Sequence, residues 1–234
     1  MIRGGVADYA DYKWYCFSGL KGQTKVSRNG LHFYSNKVTL VISSFDKKFI
    51  DYLLKQLFTY SQVEVGNLLL YPEYVEQEHL PSFEDSMKYI CISPMVLLDP
   101  SFNDDQGKRF ISPETESYSD LLYESTLKRM GDIGRYEEDQ LSDFFRFQIV
   151  PDSNYLHKIR VSQKKFARIY SMFDQDVKYE VRGYTLPFTL YAAKEVQEFL
   201  FIGGIGKLCY KGFGMLDIAQ AAPGKENPRY AVPT

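Results

Sequence analysis

The sequence has few of the residues that form disulfides or metal sites. Its 234 residues include three histidines and three cysteines, and Cys16, Cys91 and Cys209 lie far apart with no CxxC pair. An odd number of isolated cysteines argues against a disulfide framework and against a zinc site. We therefore expect no metal centre and a reducing, cytoplasmic location.

Long apolar runs and a large excess of charge are absent as well. No run approaches the roughly 18 apolar residues that span a bilayer, and the amino terminus lacks the pattern of a signal peptide. The formal net charge of −2 gives no overall attraction to nucleic acid. We expect neither membrane insertion nor secretion, and any contact with nucleic acid must come from local basic patches.

Aromatic side chains are abundant. The chain has 19 Tyr and 17 Phe against one Trp, and such flat, β-favouring side chains point away from an all-helical bundle. Alternating polar and apolar residues predict strands at 13–20, 24–34, 37–43, 63–75, 88–98, 144–150, 156–162, 177–183, 185–191 and 213–219. Apolar residues at helical spacing predict helices at 47–59, with Asp46 as N-cap, at 113–130 and at 192–202.

This order of elements predicts an α+β protein made of two tandem ferredoxin-like, or RRM-like, βαββαβ units. The first unit is assigned to 1–86, the second to 87–219, and a polar tail outside the core to 220–234. Residues 2–12 are expected to form a turn or the end of a helix, so the first unit lacks its opening strand. Such a gap leaves backbone groups unpaired, and we therefore expect the chain to form a homodimer.

The glycine-rich segment 203–214 is the strongest local signal. Its two Gly-apolar-Gly triplets, separated by five residues, contain Gly204, Gly206, Gly212 and Gly214. The segment is not a dinucleotide fingerprint, because Cys209 stands at the third glycine position, and it is not a Walker loop, because Leu208 follows Lys207. Exposed backbone N–H groups beside Lys207 and Lys211 favour phosphate binding. The alternative is a tight helix-to-strand connection, which would need only one or two glycines.

The pattern GhGxxxxxGhG (h, apolar) after a helix near the carboxyl terminus resembles the glycine-rich loop of the repeat-associated RNA-binding proteins of CRISPR systems. More specifically, the sequence resembles the CRISPR-associated endoribonucleases that cut the precursor transcript at its repeats. This resemblance includes four further stretches: Phe17-Ser-Gly-Leu20, Ile92-Ser-Pro94, Ile111-Ser-Pro113-Glu114 and Arg182-Gly-Tyr184 before Pro187-Phe188. The resemblance covers about residues 7–219. It implies tandem ferredoxin-like domains, no cofactor, and metal-independent cleavage of repeat RNA that leaves a 5′-hydroxyl and a 2′,3′-cyclic phosphate. Repeat RNA is the implied partner, and a CRISPR effector complex is a second candidate.

Two stretches of the chain contain basic residues and no Asp or Glu. The first, 13–45, contains Lys13, Lys21, Lys25, Arg28, His32 and Lys37. The second, 157–170, contains His157, Lys158, Arg160, Lys164, Lys165 and Arg168. Acidic residues are concentrated at 99–143. A near-neutral chain can thus present a basic RNA-binding groove and an acidic opposite side, whereas the alternative is that these stretches are solvated strand faces.

The cleavage chemistry needs a base for the ribose 2′-hydroxyl, an acid for the leaving oxygen and a cation for the charged phosphorane. Family members usually carry a histidine just after the first helix, and this sequence has no such histidine after the stretch 7–12. The remaining catalytic candidates are His32, Lys13, Tyr9 and Tyr12. A tyrosine with a pKa near 10 is a poor base unless it is perturbed. We expect cleavage to be slow or impaired.

Three functions remain open at the level of the sequence. The first is a repeat-RNA endoribonuclease, and the second is a non-catalytic repeat-RNA-binding protein of the same superfamily. The third is a module that binds a small molecule or nucleotide phosphate through the same loop. If the loop binds RNA, replacing Gly206 and Gly212 by alanine is expected to weaken binding without unfolding the protein.

Overall fold

The computed structural model describes residues 9–27, 30–99, 110–164, 166–174, 177–219 and 229–230. The strands of the first half are β1 (Tyr15–Phe17), β2 (Thr24–Ser27), β3 (Gly30–Phe33), β4 (Ile42–Ser44), β5 (Val63–Val65), β6 (Leu68–Leu70) and β7 (Val75–Glu76), and its helix is α1 (Lys47–Thr59). The later strands are β8 (Ser86–Cys91), β9 (Phe147–Pro151), β10 (Ala167–Asp174), β11 (Val177–Tyr184), β12 (Phe188–Ala192), β13 (Leu216–Ile218) and β14 (Arg229–Tyr230). The later helices are α2 (Tyr118–Asp132), α3 (Glu138–Asp143), α4 (Ser153–Val161) and α5 (Lys194–Gly203).

The second half contains a four-stranded antiparallel sheet with the strand order β13-β8-β12-β9. Along the chain its elements run β8-α2-β9-β12-α5-β13, which is the βαββαβ order of a ferredoxin-like unit. On the central strand β12, buried Leu190 lies opposite Met87 and Ile149. Leu122 of α2 and Leu200 of α5 are part of the same core, so both helices cover one face of the sheet. The predicted ferredoxin-like fold is confirmed.

The first half is built around the antiparallel pair β1–β4 and helix α1. The Asp46 side chain accepts a hydrogen bond from the backbone N–H of Lys48 at 2.8 Å, so the predicted helix and its N-cap are confirmed. Aromatic rings of Tyr12 and Tyr15 pack on Phe49 of α1, with centroid distances of 4.8 and 4.9 Å. Two hairpins, β2–β3 and β5–β6, extend from this small unit.

The prediction of a strand at 156–162 is wrong, because this segment lies in helix α4. Asp152 caps the helix by accepting a hydrogen bond from the backbone N–H of Tyr155 at 2.7 Å. Tyr155, Leu156 and Ile159 are spaced as one helical face, and this periodicity outweighs the local β-propensity. Strand β10 and helix α3 were not predicted. The predicted helix 113–130 corresponds to α2, which begins at Tyr118.

The remaining differences concern the ends of the chain and short strands. The predicted strand 63–75 is divided into β5, β6 and the first residue of β7. Residues 9–12 form a turn, in which the N–H of Tyr12 donates to the Tyr9 carbonyl at 3.2 Å, and the rest of 2–12 lies outside the described residues. Most of the tail is also outside them, but its strand β14 pairs with β7. Among the described residues, no helix is long and apolar enough to cross a membrane.

The two halves contact each other through β1, the end of β4 and helix α5. Phe45 stacks on Phe199 with a centroid distance of 5.1 Å, and its carbonyl accepts a hydrogen bond from Arg135 at 2.6 Å. The Cys16 thiol donates to the Ile202 carbonyl at 3.3 Å. These contacts place the first half directly against the segment that follows α5, which is the glycine-rich loop.

Candidate nucleic-acid interface

The glycine-rich loop, 203–214, connects α5 to β13 and is mostly buried. Gly204, Gly206, Gly212 and Gly214 have φ angles of 77°, 82°, 87° and 73°. A Cβ on Gly206 would lie 2.3 Å from the Val96 carbonyl oxygen, and a Cβ on Gly214 would lie 2.0 Å from the Ile205 carbonyl oxygen. Packing and backbone conformation therefore require these glycines. The expectation that Gly206 tolerates alanine without loss of folding is corrected, because backbone atoms cannot move aside as a flexible side chain can.

Backbone N–H groups of this loop form hydrogen bonds within the protein. The N–H of Ile205 donates to the Gly214 carbonyl, that of Lys207 to the Val96 carbonyl and that of Gly214 to the Pro94 carbonyl, all at 2.8 Å. These three donors are occupied and do not cradle a phosphate. RNA contact by the loop glycines stays a prediction. The side chains around the loop are the stronger candidates for binding phosphate.

Arg129 of α2 holds the start of the loop, and the sequence reasoning missed it. Its guanidinium donates to the Gly203 carbonyl at 2.6 Å and to the Gly204 and Gly206 carbonyls at 2.7 and 3.2 Å. The Gly203 and Gly204 carbonyls stand at the carboxyl end of α5, where carbonyl groups lack helical partners. The sequence contained one signal for this role, the adjacent basic pair Lys128-Arg129 on a predicted helix. Adjacent positions of a helix point in different directions, so the two side chains of such a pair cannot face the same surroundings.

A small cavity of about 170 Å³ lies between the loop and the start of β1. It is lined by Lys13, Trp14, Arg129, Gly206, Lys207, Leu208, Cys209 and Tyr210, and we call it the loop pocket. None of these lining residues is acidic. The Lys13 ammonium lies 5.4 Å from the centre of the Tyr210 ring. Three cationic side chains beside two aromatic rings fit a phosphate group with an attached nucleoside.

Lys207 is a half-buried cationic residue of the loop pocket. Burial, followed by the positive charges of Arg129 and Lys128, lowers the pKa of Lys207, and Asp132 opposes the shift only in part. The group therefore carries a charge in a half-buried setting where cations outweigh anions. A bound phosphate would relieve this repulsion and favour the protonated form of Lys207.

Lys211, within the glycine-rich loop, and Arg168, on strand β10, lie where the loop meets hairpin β10–β11. The Lys211 ammonium donates to the Tyr179 hydroxyl at 3.1 Å. Arg168 shares a strand face with Tyr170, whose ring packs edge-on against Phe213 at 5.5 Å. The hairpin that carries Arg168 thus packs against the loop that carries Lys211.

The rest of the second basic stretch is arranged differently. His157, Lys158 and Arg160 lie on α4, and Lys164 follows that helix. Arg160 forms an ion pair with Glu114. The basic stretch therefore has an acidic neighbour in the folded protein, although its own sequence contains no Asp or Glu. Lys165 and Arg28 lie outside the described residues.

The predicted catalytic residues do not form one cluster. Lys13 lines the loop pocket, whereas His32 is exposed on hairpin β2–β3, where it pairs in register with Lys25. The Tyr12 hydroxyl lies 2.9 Å from the Ser44 hydroxyl, and the Tyr9 hydroxyl donates to Asp46 Oδ2 at 3.4 Å. Lys21 also belongs to the first half, where its backbone forms an isolated antiparallel β-bridge with Thr39. No group of three potential metal ligands occurs within the described part of the chain.

Part of the acidic stretch lies on helix α3. Glu137, Glu138 and Asp139 begin helix α3. Burial, together with the charges of Glu198 and Glu195 on α5, raises the pKa of Tyr136 beside them. Helices α3 and α5 thus share an acidic surface. Asp104 and Asp105, which also belong to the acidic stretch, lie outside the described residues.

The fold and the loop define a ferredoxin-like protein with a carboxyl-terminal glycine-rich loop and a cationic pocket beside it. The family model described as CRISPR associated protein Cas6, C-terminal, matches residues 76–218, and the chain belongs to this family. No curated protein matches the sequence significantly.

Solved structures share the fold. One, described as the characterization of a Cas6-related gene from Pyrococcus furiosus, has a TM-score of 0.73 and 19% identity over 90% of this chain and 80% of its own. A second, described as CRISPR associated protein Cas6, has a TM-score of 0.70 and 18% identity over 91% and 81% of the two chains. A third, described as an RAMP protein binding different RNA substrates, has a TM-score of 0.68 and 18% identity over 89% and 80%.

Proposed function

We propose that this chain binds CRISPR repeat RNA and that the loop pocket holds a backbone phosphate at the point of cleavage. The observation that carries the proposal is the acid-free pocket in which half-buried Lys207 adjoins Lys13 and Arg129. Membership of the Cas6 family supports repeat RNA as the ligand. The two aromatic side chains that line the pocket suit an RNA base or ribose next to the bound phosphate.

The chemistry we propose is metal-independent transesterification. The ribose 2′-hydroxyl attacks the adjacent phosphorus, the bond to the 5′-oxygen breaks, and the products are a 2′,3′-cyclic phosphate and a 5′-hydroxyl. The ammonium groups of Lys13 and Lys207 stabilise the additional negative charge of the phosphorane. The lowered pKa of Lys207 brings it closer to the range in which a side chain exchanges protons efficiently. No histidine is among the residues lining the pocket, and we therefore propose slow cleavage.

Binding and cleavage of a hairpin repeat RNA in EDTA test this function. Lys207→Met and Lys13→Met are each expected to weaken binding and to reduce the slope of log affinity against log salt by about one. Lys194→Met, at an exposed position on α5 away from the pocket, is the matched control and is expected to keep the wild-type slope. A salt slope that stays at the wild-type value in both pocket variants would contradict the phosphate site.

A non-catalytic repeat-RNA-binding protein is the second candidate, and the pocket without a histidine favours it. A 2′-deoxy substitution at the scissile position separates the two candidates, because it blocks cleavage and leaves binding intact. Cleavage of the all-ribose substrate that stops with the 2′-deoxy substrate supports the endoribonuclease. Stable binding with no cleavage of either substrate supports the second candidate. Competition by mononucleotides but not by long RNA would instead favour the nucleotide-phosphate module.

The domain division at 86/87, the homodimer and the transfer of product to an effector complex stay predictions within this proposal. Light scattering after size-exclusion chromatography measures the oligomeric state, with and without repeat RNA. Expression of 87–219 alone tests whether the second unit folds independently, as its complete βαββαβ order leads us to expect.

A further inference from the structure

Hairpin β2–β3 carries three exposed side chains on one face. Lys25 of β2 lies opposite His32 of β3. The N–H of Tyr34 donates to the Gln23 carbonyl at 2.8 Å, so the pairing continues two residues beyond His32. Because side chains alternate along a strand, Lys25, His32 and Tyr34 project from the same face of the hairpin. All three are exposed, and 67% of the Tyr34 surface is accessible to solvent.

A second exposed ring is held close to the end of this face. Lys37, three residues after Tyr34, forms an ion pair with Glu73 at 2.7 Å. The same ammonium lies 5.9 Å from the centre of the Tyr74 ring, which is 47% exposed. Three residues span at most about 11 Å of extended chain, so the two rings lie within the reach of a few nucleotides. We call Lys25, His32, Tyr34 and Tyr74 the ribbon surface.

The ribbon surface combines flat rings with positive charge. The stretch 13–45, from which most of it derives, contains no Asp or Glu. Lys25 lies diagonally across the hairpin from Tyr34, and such diagonal neighbours are about 7–8 Å apart, a distance that one nucleotide can bridge. Bases stack on aromatic side chains whatever their identity, while lysine neutralises the phosphates between them. Glu73 pairs with Lys37 at the edge of this surface, so Lys25 supplies the ammonium group of the face itself. An unpaired RNA strand fits a lysine beside exposed rings better than an apolar protein does, because it offers a phosphate and bases together.

We propose that the ribbon surface binds unpaired nucleotides of the RNA, with Tyr34 and Tyr74 stacking on bases and Lys25 contacting a phosphate. This inference rests on the proposed function, because it adds a second contact to the same RNA. It assigns to hairpin β2–β3 the capture of a single-stranded segment, while the loop pocket holds the phosphate at the point of cleavage. His32 then contacts RNA in the ribbon surface and takes no part in the cleavage step.

The test compares RNA with and without bases. Fluorescence anisotropy measures binding of an oligouridine of about twelve nucleotides and of an abasic ribose-phosphate oligomer of the same length. Wild-type protein is expected to prefer the oligouridine. The double variant Tyr34→Ala/Tyr74→Ala is expected to lose roughly 25-fold in affinity for oligouridine, about fivefold per ring, and to bind the abasic oligomer as before. Tyr34→Phe keeps the ring and is expected to keep wild-type affinity.

Phe145→Ala is the matched control, because Phe145 is also 67% exposed but lies between α3 and β9, beside the acidic surface. It is expected to change neither affinity. Unchanged binding of oligouridine by the double variant, or an equal loss for both oligomers, would overturn the inference. If the double variant keeps its RNA affinity but no longer binds a protein that the wild-type chain binds in the same cells, the inference is overturned as well. Failure of the proposed function is recognised separately, as the absence of wild-type binding to hairpin repeat RNA or its insensitivity to Lys207→Met.

Discussion

The two halves of this chain bury very different amounts of apolar surface. Among the described residues before residue 87, only Cys16 and Phe49 are buried apolar residues, whereas the second half has a continuous core that includes Tyr118, Leu190 and Phe199. Exposed large apolar side chains are most frequent in the first half: Leu31, Tyr34, Leu40, Tyr60, Val65, Leu69, Tyr71, Tyr74 and Leu80. The second half supplies most of the folding free energy, and the first half supplies accessible surface.

The difference follows from how each half covers its strands. In the second half two helices pack on one face of a four-stranded sheet, so alternate side chains of every strand are buried. In the first half a single helix packs on the two-stranded pair β1–β4, and hairpins β2–β3 and β5–β6 remain outside. Isolated two-stranded hairpins are only marginally stable in water. The first half therefore depends on contact with the second half for its stability.

The largest expected effect comes from the loop at the junction of the halves. Gly206→Ala places a methyl group 2.3 Å from the Val96 carbonyl oxygen and is expected to lower the free energy of unfolding by about 3 kcal/mol or more. Gly66→Ala in hairpin β5–β6 is the control: its φ is also positive, at 61°, but nothing lies within 4 Å of the new Cβ. It is expected to cost about 1 kcal/mol. Urea unfolding measures both, and equal losses would show that the loop is not tightly packed.

Removal of the main aromatic contact between the halves should have the next largest effect. Phe45→Ala deletes a ring that stacks on Phe199 at 5.1 Å and lies 5.2 Å from the Arg135 guanidinium, at an expected cost of about 2–4 kcal/mol. Hydrogen exchange should accelerate in β1 and β4 and stay slow in β8 and β12. Phe173→Ala, at a position 68% exposed, is the control and should change little. Uniform acceleration throughout the chain would show that the halves unfold as one unit.

Loss of the Arg129 guanidinium is expected to have the third largest effect, because it holds the start of the glycine-rich loop. Arg129→Met deletes hydrogen bonds to three carbonyls and is expected to cost about 2–3 kcal/mol, because bonds from a charged donor are stronger than neutral ones. Arg129→Lys should restore little, since an ammonium cannot reproduce the guanidinium fork. Lys128→Met, at the exposed neighbouring position, is the control. Thermal unfolding and hydrogen exchange at 203–214 measure the effect, and full rescue by lysine would contradict it.

The smallest expected effect is a pH dependence from Lys207. Its pKa is lowered in the folded protein from an ordinary value of 10.5. Between the folded pKa and 10.5 the unfolded chain binds more protons at this position, so the free energy of unfolding rises with pH in that window. Below the window the lysine is charged in both states, and the cost of burying it is fully present. Lys207→Met should flatten the rise, Lys194→Met should not, and an unchanged slope in Lys207→Met would contradict the burial of a charged lysine.

Periodicity and capping made parts of the fold predictable from the sequence. The spacing of apolar residues after Asp46 predicted α1, and the strand and helix patterns after residue 86 predicted the ferredoxin-like order. Segment 156–162 shows where this reasoning failed: β-favouring residues suggested a strand, while the cap at Asp152 and the spacing of the apolar side chains produced a helix. Only the second strand of hairpin β10–β11 was predicted, because β10 carries apolar residues on both faces and so lacks a polar–apolar alternation. Ile169 and Phe173 are exposed, whereas Tyr170 and Met172 pack against buried residues.

The sequence by itself determined where the chain needs glycine, where basic residues are concentrated and which segments alternate as strands or repeat as helices. These properties depend on neighbours within a few positions, so they can be read along the chain. Only the tertiary structure decided that Arg129 caps the loop 74 residues away, that Glu114 neutralises Arg160, and that Lys207 shares a pocket with Lys13. Such contacts are set by how the elements pack, and the Coulomb energy of each charge depends on distance and burial that no local pattern contains.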